Sequence, residues 1–127
     1  MNTKTILVFD DDKAILDIFS IVLEASGYKV AISSTSHDII EKVKEITPDI
    51  IIMDNWIPEI GGVEATRLLK SHQEFQHIPI IYCSANNDIE YLADLAGAET
   101  YLSKPFDLND LEKKVAALLE QSETNRT

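Results

Sequence analysis

Three short apolar runs constrain the fold of this chain more than any other feature. They are Ile6–Phe9, Ile50–Met53 and Ile78–Tyr82, and each is rich in β-branched or aromatic residues. Their apolar residues are continuous, which is typical of strands buried on both faces of a parallel sheet. The alternating segment Tyr28–Ile32 and the short segment Thr100–Leu102 are predicted as two further strands.

Five helical patterns follow these strands, each with apolar residues at spacings of three and four. The predicted inner faces are Ile15, Phe19, Val22 and Leu23; Ile39, Ile40, Val43 and Ile46; Val63, Thr66, Leu68 and Leu69; Ile89, Leu92 and Leu95; and Leu108, Leu111, Val115 and Leu118. Gly27 and Gly97 are stop signals for the first and fourth helices. Asp107 or Asn109 is expected to cap the fifth helix, which we expect to end near Gln121.

Strand and helix alternate five times along the chain. This order predicts an α/β fold with right-handed crossovers, in which a doubly wound parallel sheet of five strands carries helices on both faces. We expect one domain over residues 1–127, with an ordered core of about residues 4–121. The polar tail Ser122–Thr127 is expected to fray, and no output domain is expected.

Charge and composition exclude several classes of function. The formal net charge of −11 disfavours direct contact with nucleic acid or anionic membranes, because like charges repel. No apolar run approaches the roughly 18–20 residues that a bilayer span needs. The single cysteine, Cys83, cannot form an internal disulfide, which favours a reducing, cytoplasmic location.

Polar side chains follow each of the five predicted strands. Asp10–Asp12 follow the first strand, Asp54 the third, Ser84 the fourth and Lys104 the fifth, whereas Ser33–Ser36 after the second contains no ionisable group. The carboxyl ends of parallel strands meet at one edge of the sheet, where ligands bind in open α/β folds. We therefore expect these carboxylates, the hydroxyl and the lysine to converge there.

This combination of groups suits phosphoryl transfer. Clustered carboxylates repel one another, and a Mg²⁺ ion bound by oxygen ligands relieves the conflict. Asp54 would be the nucleophile, Lys104 would offset charge and the Ser84 hydroxyl would position an oxygen. Singly, each residue has a simpler interpretation: Asp10–Asp12 as a helix cap, Asp54 as a turn residue, Ser84 as a loop hydroxyl and Lys104 as a solvated cation. The joint placement favours the functional interpretation.

The chain resembles the receiver domain of two-component response regulators over nearly its whole length. The similar segments are ILVFDDDKAIL at 6–16, PDIIIMDNWIPEIGG at 48–62, PIIYCSA at 79–85 and AGAETYLSKPF at 96–106. The resemblance implies a flavodoxin-like sheet of strand order 2-1-3-4-5. It also implies a protein that accepts a phosphoryl group from a sensor histidine kinase or a phosphotransfer protein and is not otherwise an enzyme.

The resemblance also implies roles for individual residues. Asp54 would be the phospho-acceptor, with Ser84 and Lys104 holding phosphoryl oxygens. Mg²⁺, or alternatively Mn²⁺, would be bound directly by Asp11, by Asp54 and by the backbone carbonyl of Trp56, and by Asp10 through a water. Ser84 and Tyr101 would form the switch, and the Lys104–Pro105 peptide bond would be cis.

Three positions depart from the family pattern, namely Phe9, Trp56 and Gly61. Phe9 is larger than the usual aliphatic residue, and Gly61 predicts an unusually mobile loop before Gly62. Trp56 lies two residues after Asp54, so its indole could cover the acyl phosphate and exclude attacking water. We therefore predict slow autodephosphorylation.

Two alternatives remain open at this stage. The first is a pseudo-receiver, a binding module that is never phosphorylated. The second is an aspartate-nucleophile phosphatase of the haloacid-dehalogenase type, for which Asp10 and Asp12 supply an Asp-x-Asp spacing. For a stand-alone receiver we expect an unidentified downstream protein target and a monomer or a weak, phosphorylation-dependent dimer.

Overall fold

The structure, a computed structural model, describes residues 3–126 as five strands and five helices in strict alternation. In chain order these are β1 Thr5–Phe9, α1 Lys13–Ala25, β2 Lys29–Ser33, α2 Ile39–Ile46, β3 Ile50–Asp54, α3 Gly62–Ser71, β4 Ile80–Ser84, α4 Ile89–Ala96, β5 Thr100–Ser103 and α5 Leu108–Arg126. The strands form one parallel sheet in the order β2-β1-β3-β4-β5. The predicted fold class and strand order are confirmed.

The three continuous apolar runs form the centre of the sheet. Every residue of β3 and β4 is buried, and so is every residue of β1 after Thr5. On one face, α1 and α5 cover the core through Phe19, Leu23, Leu111 and other apolar side chains. On the other face α2, α3 and α4 do so. Burial on both faces explains why these strands show no polar alternation.

Several helix faces differ from the predicted ones. Leu68, Leu95 and Leu108 were expected to face the core, but they are 38%, 46% and 47% exposed. In α4 the buried residues are Ile89, Ala93 and Ala96. The small alanines allow this short helix to lie close to the sheet. The prediction that Leu95 lies on the inner face was therefore wrong.

Some boundaries also differ from expectation. β4 begins at Ile80 and not at Ile78, because Pro79 has no N–H for the ladder and contributes only its carbonyl, which accepts from the Ile51 N–H. α5 continues past Gln121 to Arg126, so the expected frayed tail is helical up to that residue. Thr127, together with residues 1–2, lies outside the described residues.

Local signals position the ends of the elements that carry the site. Asp12 caps α1 by accepting from the N–H groups of Ala14 and Ile15, and Asp107 rather than Asn109 caps α5. The Lys104–Pro105 bond after β5 is cis, as the resemblance implied. Among the helices within residues 3–126, none is both long and apolar enough to cross a bilayer.

Candidate functional site

A pocket of about 280 Å³ opens at the carboxyl edge of the sheet. Its lining comes from the carboxyl ends of β3 and β4 and from the segments that follow β1, β3, β4 and β5: Asp10, Asp11, Asp12, Asp54, Trp56, Ser84, Ala85, Asn86 and Lys104. The structure thus brings together the strand-end residues that the sequence analysis singled out. A second depression beside α2, about 560 Å³ in volume, is larger. It lacks this convergence of buried carboxylates and a lysine, so size alone does not identify the site.

Asp54 is the last residue of β3, and it is only 4% exposed. Its Oδ1 lies 2.7 Å from the Lys104 Nζ. Its Oδ2 accepts a hydrogen bond of 2.9 Å from the backbone N–H of Trp56. Both oxygens are therefore oriented, one by the side chain of Lys104, which directly follows β5, and the other by the chain that leaves β3.

Asp10 lies beside Asp54 and is almost completely buried, at 1% exposure. Its Oδ2 lies 2.8 Å from the Lys104 Nζ, and its Oδ1 accepts from the Asp12 N–H at 2.9 Å. Asp11 is exposed at the pocket mouth. Carboxylate oxygens of Asp10, Asp11 and Asp54 all lie within 4.8 Å of one another.

The electrostatics of this cluster are unbalanced. Burial raises the pKa of Asp54, and the charge of Asp10 adds to that effect, while Lys104 opposes it. Burial would lower the pKa of Lys104, but hydrogen bonds to Asp10 and Asp54 outweigh it and the net pKa is raised. The lysine has two anionic partners, whereas Asp54 has one cation, Lys104, and two carboxylates, Asp10 and Asp11, beside it. The site therefore favours additional positive charge.

This arrangement fits a divalent cation with oxygen ligands. Among the residues that the structure describes, three carboxylates, including that of Asp54 itself, meet one lysine here. Hard oxygen donors and an excess of negative charge suit Mg²⁺, which is bound in proteins by one or two carboxylates together with waters and phosphate oxygens.

Ser84 ends β4 with its side chain in the pocket, and it is 3% exposed. Its Oγ accepts a hydrogen bond of 3.0 Å from the Asn86 N–H. A hydroxyl that accepts through oxygen still has its proton to donate. The Ser84 hydroxyl therefore has a proton available for a further hydrogen bond within the pocket.

Tyr101 lies on β5, directly beside Tyr82 of β4 in the sheet register. It is half-buried against the α4 cluster of Tyr82, Ile89, Ala93 and Ala96. The Lys114 Nζ lies 4.9 Å from the centre of the Tyr101 ring and also donates to the Tyr101 carbonyl. The expected switch residue therefore contacts both α4 and α5.

Trp56 is 78% exposed. Trp56 is among the residues that line the pocket, and its backbone N–H contacts Asp54. Most of its side chain is therefore in contact with solvent.

Two polar contacts near the site were missed by the sequence analysis. Ser36 is fully buried, and its Oγ lies 2.6 Å from the Pro58 carbonyl, 2.7 Å from the Ile60 carbonyl and 2.6 Å from the Ile60 N–H. Tyr82 donates its hydroxyl to the Asn55 side chain. Ser36 was treated as a small polar loop residue and Tyr82 as a strand aromatic, and no local pattern distinguishes such residues from others of their type.

Ser36 bears on the loop before α3. Gly61 has an ordinary extended backbone, with φ −61°, and does not use the positive φ that glycine permits. The positive φ of this loop, 83°, occurs at Glu59. The extra mobility expected from Gly61 stays a prediction, and the contacts of Ser36 oppose it.

Comparison with known proteins agrees with this geometry. The family model for the response regulator receiver domain matches residues 6–116. The polar-differentiation response regulator DivK of Brucella ovis is 33% identical over 109 residues, which cover 84% of this chain and 88% of DivK. The CAI-1 autoinducer sensor kinase/phosphatase CqsS of Vibrio cholerae is 35% identical over 117 residues, which cover 90% of this chain and 17% of CqsS.

Solved structures give the same result. A CheY-like response regulator receiver domain protein from Methanospirillum hungatei superposes with a TM-score of 0.86 at 28% identity, covering 98% of this chain and 99% of that one. The chemotaxis response regulator CheY4 of Vibrio cholerae shares the fold, with a TM-score of 0.84 at 24% identity, covering 92% and 99% of the two chains. The match over residues 6–116 and the similarity to DivK together establish that the chain belongs to the response regulator receiver domain family.

Proposed function

We propose that this protein accepts a phosphoryl group on Asp54 from a sensor histidine kinase or a histidine phosphotransfer protein. The observation that carries the proposal is the convergence of Asp10, Asp11, Asp54, Ser84 and Lys104 on one pocket. In the reaction, an Asp54 carboxylate oxygen forms a bond to phosphorus. The phosphorus–nitrogen bond of the donor imidazole breaks, and its electron pair stays on the imidazole.

The reaction is proposed to require Mg²⁺, with Mn²⁺ as a possible substitute. Asp11, Asp54 and the Trp56 carbonyl would hold the ion directly, and Asp10 would do so through a water. The bound ion would offset negative charge on the phosphoryl oxygens. The support is the excess of carboxylate over lysine around Asp54.

The side chains of Lys104 and Ser84 would bind the phosphoryl oxygens. Lys104 pairs with Asp10 as well as with Asp54. It can therefore leave Asp54 to contact a phosphoryl oxygen and still keep its ion pair with Asp10. Ser84 has a proton to donate while its oxygen accepts from Asn86. The protein would catalyse only its own phosphorylation and autodephosphorylation.

The phosphoryl group would act through a change of surface. Two charge-assisted hydrogen bonds at about 1.5–3 kcal/mol each would total about 3–6 kcal/mol. About 5.5 kcal/mol moves a two-state population from 1:99 to 99:1. The bond from Ser84 would be new, whereas Lys104 would exchange its contact with Asp54 for one with a phosphoryl oxygen, so this total is an upper bound. Tyr101, which contacts α4 and Lys114 of α5, would transmit the change.

The relatives carry this domain in two settings. It matches 88% of DivK but only 17% of the kinase CqsS. A stand-alone regulator that signals to a downstream protein is proposed on the model of DivK. The cytoplasmic location, the lack of nucleic-acid and membrane contact, and a monomer or weak phosphorylation-dependent dimer stay predictions.

One experiment tests the proposal. The protein is incubated with Mg²⁺ and acetyl phosphate, and any adduct is located by mass spectrometry. Phosphorylation of Asp54 that is absent from Asp54→Asn and retained in Asp17→Asn, an exposed control on α1, supports the proposal. No adduct on the wild-type protein would favour the pseudo-receiver, and turnover through Asp10 would favour a phosphatase.

A further inference from the structure

Tyr82 is a large polar residue at the centre of the sheet. Its side chain is fully buried on β4, under the α4 residues Ile89, Ala93 and Ala96. Its hydroxyl donates to the side-chain carbonyl of Asn55. Burial raises the pKa of Tyr82 to about 12, so the hydroxyl stays protonated as a donor at neutral pH.

Asn55, the acceptor, follows the proposed phospho-acceptor and is held at its backbone as well. Its N–H donates to the Cys83 carbonyl at 3.0 Å, and its carbonyl accepts from the Gly62 N–H at 3.0 Å. The chain is close-packed here, because a Cβ added to Gly62 would lie 2.3 Å from the Asp54 carbonyl oxygen. The hydroxyl of Tyr82 thus adds a third attachment, which is made through the Asn55 side chain.

The position of Asn55 matters for its two neighbours. Asp54 precedes it, and Trp56 follows it with an N–H that donates to the Asp54 Oδ2 at 2.9 Å. The Trp56 carbonyl is a proposed metal ligand. A shift of Asn55 would therefore move both the carboxylate's hydrogen-bond donor and this carbonyl.

From these contacts we infer that Tyr82 is a positioning residue, whose bond to Asn55 sets the direction of the chain between Asp54 and Trp56. It acts through Asn55 and does not touch the reacting atoms. The inference rests on the proposed function, since it assigns Tyr82 a part in metal binding and phosphorylation at that site.

The test uses Tyr82→Phe, which keeps the ring and removes only the hydroxyl. Mg²⁺ is titrated against the fluorescence of Trp56, the single tryptophan of the sequence, and phosphorylation by acetyl phosphate is followed separately. Because one hydrogen bond is worth a few-fold in an equilibrium, we expect Mg²⁺ to bind about three- to tenfold more weakly, with a similar loss in phosphorylation rate. Tyr91→Phe, which removes a hydroxyl from an exposed tyrosine on α4, should change neither.

Two further variants, Asn55→Leu and the double variant Tyr82→Phe/Asn55→Leu, distinguish a loss of positioning from a loss of fold stability. Replacing both partners by apolar groups can restore stability, because no buried polar atom is left unpaired. Mg²⁺ affinity should nevertheless stay at the level of the single variants, since the two residues act as one unit. Affinity that recovers together with the unfolding free energy, or a Tyr82→Phe variant with wild-type affinity and rate, would overturn the inference. A wild-type protein that takes up no phosphoryl group would instead refute the proposed function.

Discussion

The amino and carboxyl edges of the sheet each hold a lysine paired with an acidic side chain, but they differ in how the charges balance. At the amino edge, the Lys70 Nζ lies 2.7 Å from Glu99 Oε2, and it donates to the carbonyls of Ile78 at 2.7 Å and Gln76 at 3.2 Å. The second Glu99 oxygen accepts from the Ile80 N–H at 2.8 Å. One cation meets one anion, and both are hydrogen-bonded to the chain.

At the carboxyl edge, one lysine does not balance the charge of the carboxylates around it. Lys104 serves both Asp10 and Asp54, and Asp11 adds a third carboxylate within 4.8 Å. The balanced pair joins elements of the fold, whereas the unbalanced cluster has the charge to bind a cation. The comparison shows that an ion pair indicates function through its imbalance and its access to a pocket.

The largest expected contrast comes from removing each lysine. Lys104→Met should slow phosphorylation by about a hundredfold, because the phosphoryl oxygens lose a preorganised cation. Lys70→Met should lower the free energy of unfolding by about 2 kcal/mol and leave the phosphorylation rate unchanged. Mass spectrometry with acetyl phosphate and urea unfolding measure the two quantities. Equal losses of phosphorylation in both variants would contradict the distinction between the edges.

Mg²⁺ should stabilise the protein through the carboxyl edge alone. At a hundred times its dissociation constant the ion should add about 2.7 kcal/mol to the free energy of unfolding. Asp11→Asn should lose most of this gain, and Lys70→Met should keep it. Thermal unfolding with and without Mg²⁺ checks this, and an Asp11→Asn protein that gains as much as wild type would speak against the assigned ligands.

A smaller effect is expected at the pocket wall. Trp56→Asn should release phosphate severalfold faster than wild type, because water reaches the acyl phosphate more easily without the indole. The measurement is phosphate release from protein phosphorylated in advance and freed of donor. Equal or slower release from the variant would rule out a shielding role for Trp56.

The smallest effect concerns pH in the absence of metal. Since burial raises the pKa of Asp54 above its ordinary value of 3.8, the folded protein holds this proton more tightly than the unfolded chain. Asp54 therefore costs stability as the pH rises above that value. In EDTA, the stability of Asp54→Asn relative to wild type should increase from below pH 3.8 toward neutrality. A difference that stays constant or falls would contradict the burial effect.

Residues whose role depends on local pattern were predicted well. The runs Ile6–Phe9 and Ile50–Met53 are central strands, Asp12 caps α1, and Gly97 ends α4 with a φ of 86°. The strand-end positions of Asp54 and Lys104 also followed from the order of elements, because parallel strands end at one edge.

Other features could not be predicted, since they depend on which surfaces meet. Leu95 fits a helical pattern but lies outside, because Ala93 and Ala96 bring α4 close to the sheet. The contacts of Ser36 with Pro58 and Ile60 span 22 and 24 residues. No sequence window contains the two sides of such a contact.

By itself, the sequence determined the alternation of strands and helices and the chemical groups at the strand ends. The spacing of apolar residues and the residue types predict these features, because each strand or helix buries its own apolar face. Only the tertiary structure decided that Lys104 lies between Asp10 and Asp54 and that Tyr82 reaches Asn55. Those contacts join residues distant in the chain, and their geometry is set by how the sheet and helices pack, which determines how the charges balance.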